Sequence, residues 1–182
     1  DAGTATWVTA VPSEEDWFGP EQFWGWASGR DASIIVTPKG GSKVPVRFAS
    51  DITSYQNKLT MDGAMVKELI VPMVGGPGAD AALEKAGWSM NDIDLASLHE
   101  ANLVLNQGII NQWTKRGFKG EVLDASGQFG NTTSATIPLA VALNSDKFTK
   151  GKRFLWSAFG GGLTVSIALG TIKHDVEFCC ST

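Results

Sequence analysis

Apolar residues recur at helical spacing in the middle of the chain. From Met61 to Val74 they fall on one face of a helix, which predicts an amphipathic helix over this segment. A bend or break is expected between positions 72 and 78, where two prolines and three glycines lie close together. Further helices are predicted over 79–86, 102–113 and 132–143. Asn131 is a candidate N-cap for the last of them.

Short runs of apolar and β-branched residues predict the strands. These runs lie at 2–11, 33–37, 93–98, 121–123, 154–159 and 163–172. Residues 17–30 are rich in tryptophan and glycine and are expected to form a loop anchored by its aromatic side chains. Strands and helices alternate from residue 61 onward, and the glycine turn Gly160–Gly162 predicts an antiparallel final pair. The fold class is therefore α/β, a mixed sheet of about five strands with helices on both faces.

Composition narrows the function classes. The 182 residues suffice for one domain, and a 43% hydrophobic content argues against disorder. A net charge of −4 without a basic run argues against nucleic-acid binding. No apolar stretch reaches the roughly 20 residues of a membrane span, so no membrane partner is expected. The two cysteines, Cys179 and Cys180, are adjacent and form no disulfide framework, which favours the cytoplasm.

Unusual residues follow three predicted strands, at the sheet edge where α/β proteins bind ligands. The three segments are His99–Asn102, Gly127–Ser134 and Phe159–Gly162. Each also has a structural interpretation: His99 as a core or capping histidine, Asn131 as a helix cap and the glycines as a tight turn. His99-Glu100 begins like a zinc-protease motif, but position 103 is leucine, and no cysteine or histidine cluster has metal-binding spacing.

Six short motifs occur in a fixed order along the chain. They are Asp1 to Ala5 (DAGTA), Pro38 to Ser42 (PKGGS), Met61 to Gly63 (MDG), His99 to Asn102 (HEAN), Gly130 to Pro138 (GNTTSATIP) and Phe159 to Thr164 (FGGGLT). Together they resemble the C-terminal half of β-ketoacyl-acyl carrier protein synthase III, a family of the thiolase superfamily. The resemblance implies that residues 1–182 are the C-terminal domain of such an enzyme, one half of a thiolase-like layered sandwich.

The resemblance also implies an activity, a decarboxylative Claisen condensation of an acyl thioester with malonyl-acyl carrier protein in fatty acid or polyketide-like biosynthesis. His99 and Asn131 match the histidine and asparagine of the family's Cys-His-Asn triad and are expected to donate hydrogen bonds to the malonyl thioester oxygen. Gly161 matches a backbone N–H donor of the oxyanion hole, Phe159 is expected to line the same pocket, and Asn102 is a candidate substrate contact.

The implied partners are the N-terminal half of the same enzyme, a second copy of the complete enzyme in a homodimer, and acyl carrier protein or CoA thioesters. Acyl-CoA and malonyl-acyl carrier protein enter as substrates, and no cofactor or metal is expected. The family's nucleophilic cysteine lies in the N-terminal half, and Cys179 and Cys180 do not match it. The chain alone is therefore expected to form no acyl-enzyme.

Two positions depart from the family pattern, and two alternative functions also remain open. Val104 stands where the family often has an arginine that docks the carrier protein or CoA, and Glu100 replaces the usual glutamine. One alternative is a thiolase-fold acyltransferase that uses a non-malonyl acceptor, with His99 as general base. Another is a non-catalytic subunit of a heteromeric synthase. Retention of both His99 and Asn131 favours condensation.

Overall fold

A computed structural model describes residues 3–4, 22–38, 44–45, 47 and 58–175. Most of the predicted strand over 2–11 lies outside these ranges, as do Cys179 and Cys180 and all but the first residue of the PKGGS motif. Within the described ranges, no helix is long and apolar enough to cross a membrane.

One mixed sheet of five strands organises the described part of the chain. Its members are β1 (Gln22–Ala27), β4 (Leu95–Leu98), β5 (Glu121–Val122), β6 (Arg153–Gly160) and β7 (Thr164–Thr171). They lie in the order β1-β7-β6-β4-β5. Strand β7 is antiparallel to both of its neighbours, β1 and β6, and β4 is parallel to both β6 and β5. Two short strands, β2 (Ile35–Val36) and β3 (Thr60–Met61), form a separate antiparallel pair.

Helices cover both faces of the sheet, which confirms the predicted α/β class. They are α1 (Gly63–Gly75), α2 (Pro77–Ala86), α3 (Leu103–Lys115), α4 (Ser126–Phe129) and α5 (Thr136–Leu143). One core lies between the sheet and α1, α2 and α3, with Ile70, Ile109 and Ile167 fully buried in it. A smaller core around Phe154 and Ala140 lies beneath α5 on the other face.

Strand β1 corrects the loop predicted over residues 17–30. Trp24 and Trp26 alternate with more exposed neighbours and pack against the larger core, so the segment has the two-residue period of a strand. Its six residues pair with Thr164–Leu169 of β7. The glycine and tryptophan content suggested a loop because pairing with a strand about 140 residues away is invisible in local sequence.

The predicted helix break occurs at Gly76. Helix α1 continues through Pro72, whose ring lies in its last turn, and ends at Gly75. Helix α2 begins at Pro77 and ends at Ala86, with Gly87 in the left-handed conformation (φ 68°) as its C-cap.

Helices α1 and α3 run parallel and very close together, and glycines make this approach possible. A Cβ atom on Gly108 would lie 3.2 Å from Val71, and one on Gly75 would lie 2.5 Å from the Cβ of Gln112. Because both contacts have the same offset along the two helices, their N-terminal ends lie side by side. This packing brings Gly63 and Asn102 to the same end of the sheet as His99.

Candidate active site

A cavity of about 550 Å³ lies at the carboxyl end of β4, between the β6–β7 turn, the start of α1 and the segment before α5. All five residues singled out from the sequence line it. They are His99, Asn102, Asn131, Phe159 and Gly161. The rest of the wall is largely apolar, with side chains such as Val66, Leu105 and Ile137. His99 is half-buried in this wall, whereas Asn102, Asn131 and Gly161 are exposed, so polar groups converge at the mouth of a largely apolar cavity.

His99 follows β4 directly, and its backbone N–H donates to the Ser157 carbonyl of β6 at 2.8 Å. Its ring forms a T-shaped contact with the ring of Phe159, with centroids 5.2 Å apart and an interplanar angle of 71°. Burial lowers the pKa of His99 below its ordinary value, while a hydrogen bond to the backbone of Thr133 opposes that shift. Phe159 contributes to this burial, so the imidazole is biased toward its neutral form.

Asn131 does not cap a helix, contrary to the sequence prediction. Helix α5 begins at Thr136, its N-cap position is Ala135 without a side-chain cap, and a short 3₁₀ turn over Thr133–Ala135 precedes it. The Asn131 Oδ1 atom instead accepts from the backbone N–H of Thr133 at 2.9 Å. Thr133 has a positive φ of 55°, which interrupts helical backbone geometry here.

The hydrogen bonds of Asn131 settle the orientation of its amide. Since Oδ1 accepts from Thr133, the NH₂ group is the other end of the amide, and one of its hydrogens points to the Ala101 carbonyl at 3.4 Å. The second hydrogen has no acceptor among the described residues. Asn131 therefore presents an NH₂ donor at the cavity wall.

Asn102 lines the cavity and caps a helix as well. Its Oδ1 atom accepts from the backbone N–H of Leu105 at 2.9 Å, so Asn102 is the N-cap of α3. Its NH₂ group remains available to a ligand. Sequence reasoning missed this cap, although an asparagine immediately before a helical run is a common cap signal.

Gly161 forms the tip of the β6–β7 turn beside Ile35. Its backbone N–H donates to no other residue within the described ranges, which leaves a donor at the cavity. A Cβ atom at this position would lie 3.6 Å from the Ile35 carbonyl oxygen, which is ordinary van der Waals contact. The conformational demand falls on Gly162, whose φ is 146°.

Glu100 is a feature of the site that sequence reasoning noted only as a departure. It is buried, and its Oε1 atom accepts from the backbone N–H of Ala125 at 2.7 Å. This hydrogen bond connects the end of β4 to the start of the segment that carries Asn131. The sequence signal for this residue was a carboxylate next to His99 at a strand end. The sequence could not show, however, which way the side chain of Glu100 points.

In the part of the chain that the structure describes, no group of three or more histidine, cysteine, aspartate or glutamate side chains is placed to hold a metal ion. The arrangement instead offers an imidazole, a carboxamide NH₂ and a backbone N–H around one cavity. Such groups can stabilise negative charge that develops on an oxygen.

Comparison with known proteins identifies the family. Residues 83–172 match the family model described as 3-oxoacyl-[acyl-carrier-protein (ACP)] synthase III C terminal. The chain is 32% identical over 166 residues to β-ketoacyl-[acyl-carrier-protein] synthase III 3 of Streptomyces coelicolor, covering 90% of this chain and 48% of that protein. The chain belongs to the β-ketoacyl-[acyl-carrier-protein] synthase III family, in its C-terminal region.

Two further members of the family extend the match. The β-ketoacyl synthase III of Deinococcus deserti is 31% identical over 177 residues, covering 95% of this chain and 46% of that protein. The crystal structure of the synthase III from Pseudomonas aeruginosa PAO1 superposes with a TM-score of 0.71 at 23% identity, covering 91% of this chain and 48% of that one. The latter likeness confirms the thiolase-like fold. The chain spans about half the length of the synthase III relatives that it matches.

Proposed function

We propose that the chain supplies the decarboxylating part of a β-ketoacyl synthase III-type acyltransferase. In this reaction malonyl-acyl carrier protein loses carbon dioxide, and the electrons of the broken C–C bond form an enolate on the thioester. The enolate carbon then attacks the carbonyl carbon of an acyl-cysteine, a new C–C bond forms, and the cysteine leaves as thiolate. Membership of the family supports this reaction class, and the names of the relatives point to acyl carrier protein.

His99 and Asn131 would act on the malonyl thioester oxygen as it gains charge. The observation that carries this proposal is that the two residues, 32 positions apart, line one cavity with the amide of Asn131 oriented as a donor. In enzymes from which one preorganised donor of this kind has been removed, the activation barrier rises by about 3 kcal/mol. His99 would contribute through Nε2, the ring nitrogen that is not directed at α5.

Gly161 and Phe159 would serve the acyl group. The free N–H of Gly161 is suited to hold the carbonyl oxygen of the acyl-cysteine while the enolate attacks. Phe159 would keep water from the enolate, since protonation by water would end the reaction without forming a new bond. Asn102 would contact substrate through its NH₂ group, because its oxygen already accepts the capping hydrogen bond of α3.

The proposed assembly contains more than the 182 residues. The acylated cysteine would come from an N-terminal half of the same enzyme, and the complete enzyme would form a homodimer. Acyl-CoA and malonyl-acyl carrier protein would be the substrates, and loss of carbon dioxide supplies the carbanion without a cofactor. Val104 is 63% exposed at the start of α3, so this position offers an apolar contact to the carrier or CoA instead of a charged one.

A second candidate function is acyl transfer to a non-malonyl acceptor. Here Nε2 of His99 would take the proton of the acceptor, the acceptor would attack the acyl-cysteine, and the proton would pass to the departing thiolate. The contact between Nδ1 of His99 and Thr136 favours this candidate, since it leaves Nε2 toward the cavity. The single donor of Asn131 favours condensation.

The test compares two half-reactions in the complete enzyme carrying His99→Ala. Carbon dioxide release from malonyl-acyl carrier protein should fall by about 10²- to 10³-fold, whereas acylation of the cysteine by acyl-CoA should remain. The exposed His174 provides the matched control, His174→Ala, which should change neither rate. Unchanged decarboxylation in His99→Ala would contradict the proposal. Absence of both half-reactions in the unchanged enzyme would favour a non-catalytic subunit.

A further inference from the structure

The hydroxyl group of Thr136 has a fixed direction. Thr136 is 1% exposed at the start of α5, and its Oγ1 atom lies 2.7 Å from the carbonyl oxygen of Thr133. A carbonyl oxygen can only accept, so the single hydrogen of the hydroxyl is donated to Thr133. The remaining capacity of Thr136 Oγ1 is therefore two acceptor lone pairs.

Two neighbouring groups lie close to those lone pairs. The Thr132 hydroxyl donates to Thr136 Oγ1 at 3.3 Å, and Nδ1 of His99 lies 3.4 Å from the same oxygen. Because the Thr136 hydrogen is already used, this contact can be a hydrogen bond only if Nδ1 carries the hydrogen. The Thr133 carbonyl favours the same arrangement, since a backbone acceptor near the ring stabilises an N–H directed at it.

The opposite side of the His99 ring has different surroundings. Nδ1 is the ring nitrogen next to Thr136, a buried residue that does not line the cavity, although both His99 and Thr133 do. Nε2, at the other side of the ring, forms no hydrogen bond with a described residue. Phe159 supports this orientation through its edge-on contact with the ring.

We infer that Thr136 is a positioning residue that holds neutral His99 in the tautomer with its hydrogen on Nδ1, so that Nε2 presents a lone pair to the cavity. A neutral ring in this state accepts a proton or hydrogen bond at Nε2 but donates none. His99 can then donate to a thioester oxygen only as imidazolium, with hydrogens on both nitrogens. This consequence for catalysis rests on the proposed function, whereas the tautomer itself does not.

Few charged or titratable groups lie close enough to His99 to affect its charge. Among the described residues that line the cavity, His99 is the one titratable side chain. Glu100 precedes α3 and directs Oε1 to Ala125, α5 contributes the neutral hydroxyl of Thr136, and β6 contributes Phe159. If decarboxylation uses the imidazolium, its rate should fall about tenfold per pH unit above the pKa of His99.

The direct experiment is ¹⁵N NMR of the imidazole nitrogens in the complete protein, with the His99 signals assigned by their loss in His99→Gln. At a pH where His99 is neutral, Nδ1 should show the shift of a protonated nitrogen and Nε2 that of an unprotonated one. Thr136→Val removes the acceptor and should raise the Nε2–H population, while Thr136→Ser should restore the original spectrum. A neutral ring with its hydrogen on Nε2 in the unchanged protein would overturn the inference, even if Thr136→Val fails to fold.

Activity separates this inference from the proposed function. Carbon dioxide release that rises toward acid pH through the NMR-derived pKa of His99 would support both. The Nδ1 tautomer without malonyl decarboxylation at any pH would support the inference and contradict condensation. Decarboxylation that is independent of His99 protonation, together with a hydrogen on Nε2, would support condensation and overturn the inference.

Discussion

The amide nitrogen of Asn131 donates to the carbonyl oxygen of Ala101 at 3.4 Å, a hydrogen bond between residues 30 positions apart. Ala101 follows His99 and Glu100 at the end of β4, and Asn131 lies in the segment that leads to α5. With the Glu100–Ala125 hydrogen bond, this contact connects the two segments that carry the proposed donors. The relative positions of His99 and Asn131 are thus set by hydrogen bonds that involve neither His99 nor a ligand.

The structural and chemical roles of Asn131 can be separated by substitution. Asn131→Asp keeps an oxygen that accepts from the Thr133 N–H but loses the NH₂ donor. Carbon dioxide release should therefore fall by about 10²- to 10³-fold, with little change in thermal stability. Asn131→Ala loses both contacts and should lose activity and some stability. Full activity in Asn131→Asp would show that the NH₂ group donates to no reacting oxygen.

Substitution of Asn102 distinguishes helix capping from substrate binding. Asn102→Ala removes the acceptor for the Leu105 N–H and should reduce the free energy of unfolding by about 1 kcal/mol in urea titrations. Asn102→Asp preserves the cap and should retain stability. A KM increase in Asn102→Asp, without loss of stability, would identify a substrate contact through the NH₂ group. An unchanged KM in that variant would leave capping as the role of Asn102.

Substitution by alanine should affect stability differently at the two exposed glycines of the β6–β7 turn. In Gly161→Ala the new methyl group has space, since the nearest atom is 3.6 Å away. In Gly162→Ala it would lie 2.7 Å from Cγ2 of Thr164, at a φ of 146°. We expect Gly162→Ala to lower the free energy of unfolding by about 1–3 kcal/mol and Gly161→Ala to fold like the unchanged protein. Equal losses in the two variants would contradict this account of the turn.

Burial of His99 should make stability depend on pH. Its pKa in the folded state lies below the ordinary 6.5, so between the two values the unfolded chain binds more protons than the folded one. The free energy of unfolding should therefore rise with pH through this window and be lower on its acid side. His99→Gln should reduce that slope relative to His174→Gln. An identical slope in both variants would assign the effect to other groups.

The order of elements from residue 61 onward was predictable from the sequence because each has a strong local pattern. Met61 to Val74 has the period of a helix, and the runs before His99 and around Gly160–Gly162 have the apolar content of buried strands. The structure confirms these elements with shifts of a few residues at their ends. The position of His99 after β4 followed directly, because a strand end fixes where the next side chain emerges.

Other features depend on contacts between distant segments. Strand β1 forms against β7, and the alternation of Trp24 and Trp26 over six residues is too short to distinguish it from an aromatic loop. The start of α5 was misassigned because Thr132, Thr133 and Ser134 are all plausible first residues of a helix. The positive φ of Thr133 interrupts the helical backbone and moves the start of the helix further along the chain. The direction of the Thr136 hydroxyl depends on three partners at once and could not be read from spacing.

The central claim is that His99 and Asn131 act on one developing oxygen anion, and a double-mutant cycle tests it most directly. The measurement is the rate of carbon dioxide release from malonyl-acyl carrier protein by the complete enzyme carrying His99→Ala, Asn131→Ala or both. If the two donors share one oxygen, the second substitution should cost much less than it does alone, with a coupling energy of at least about 1 kcal/mol. Losses that simply multiply would show that the two residues act on separate groups.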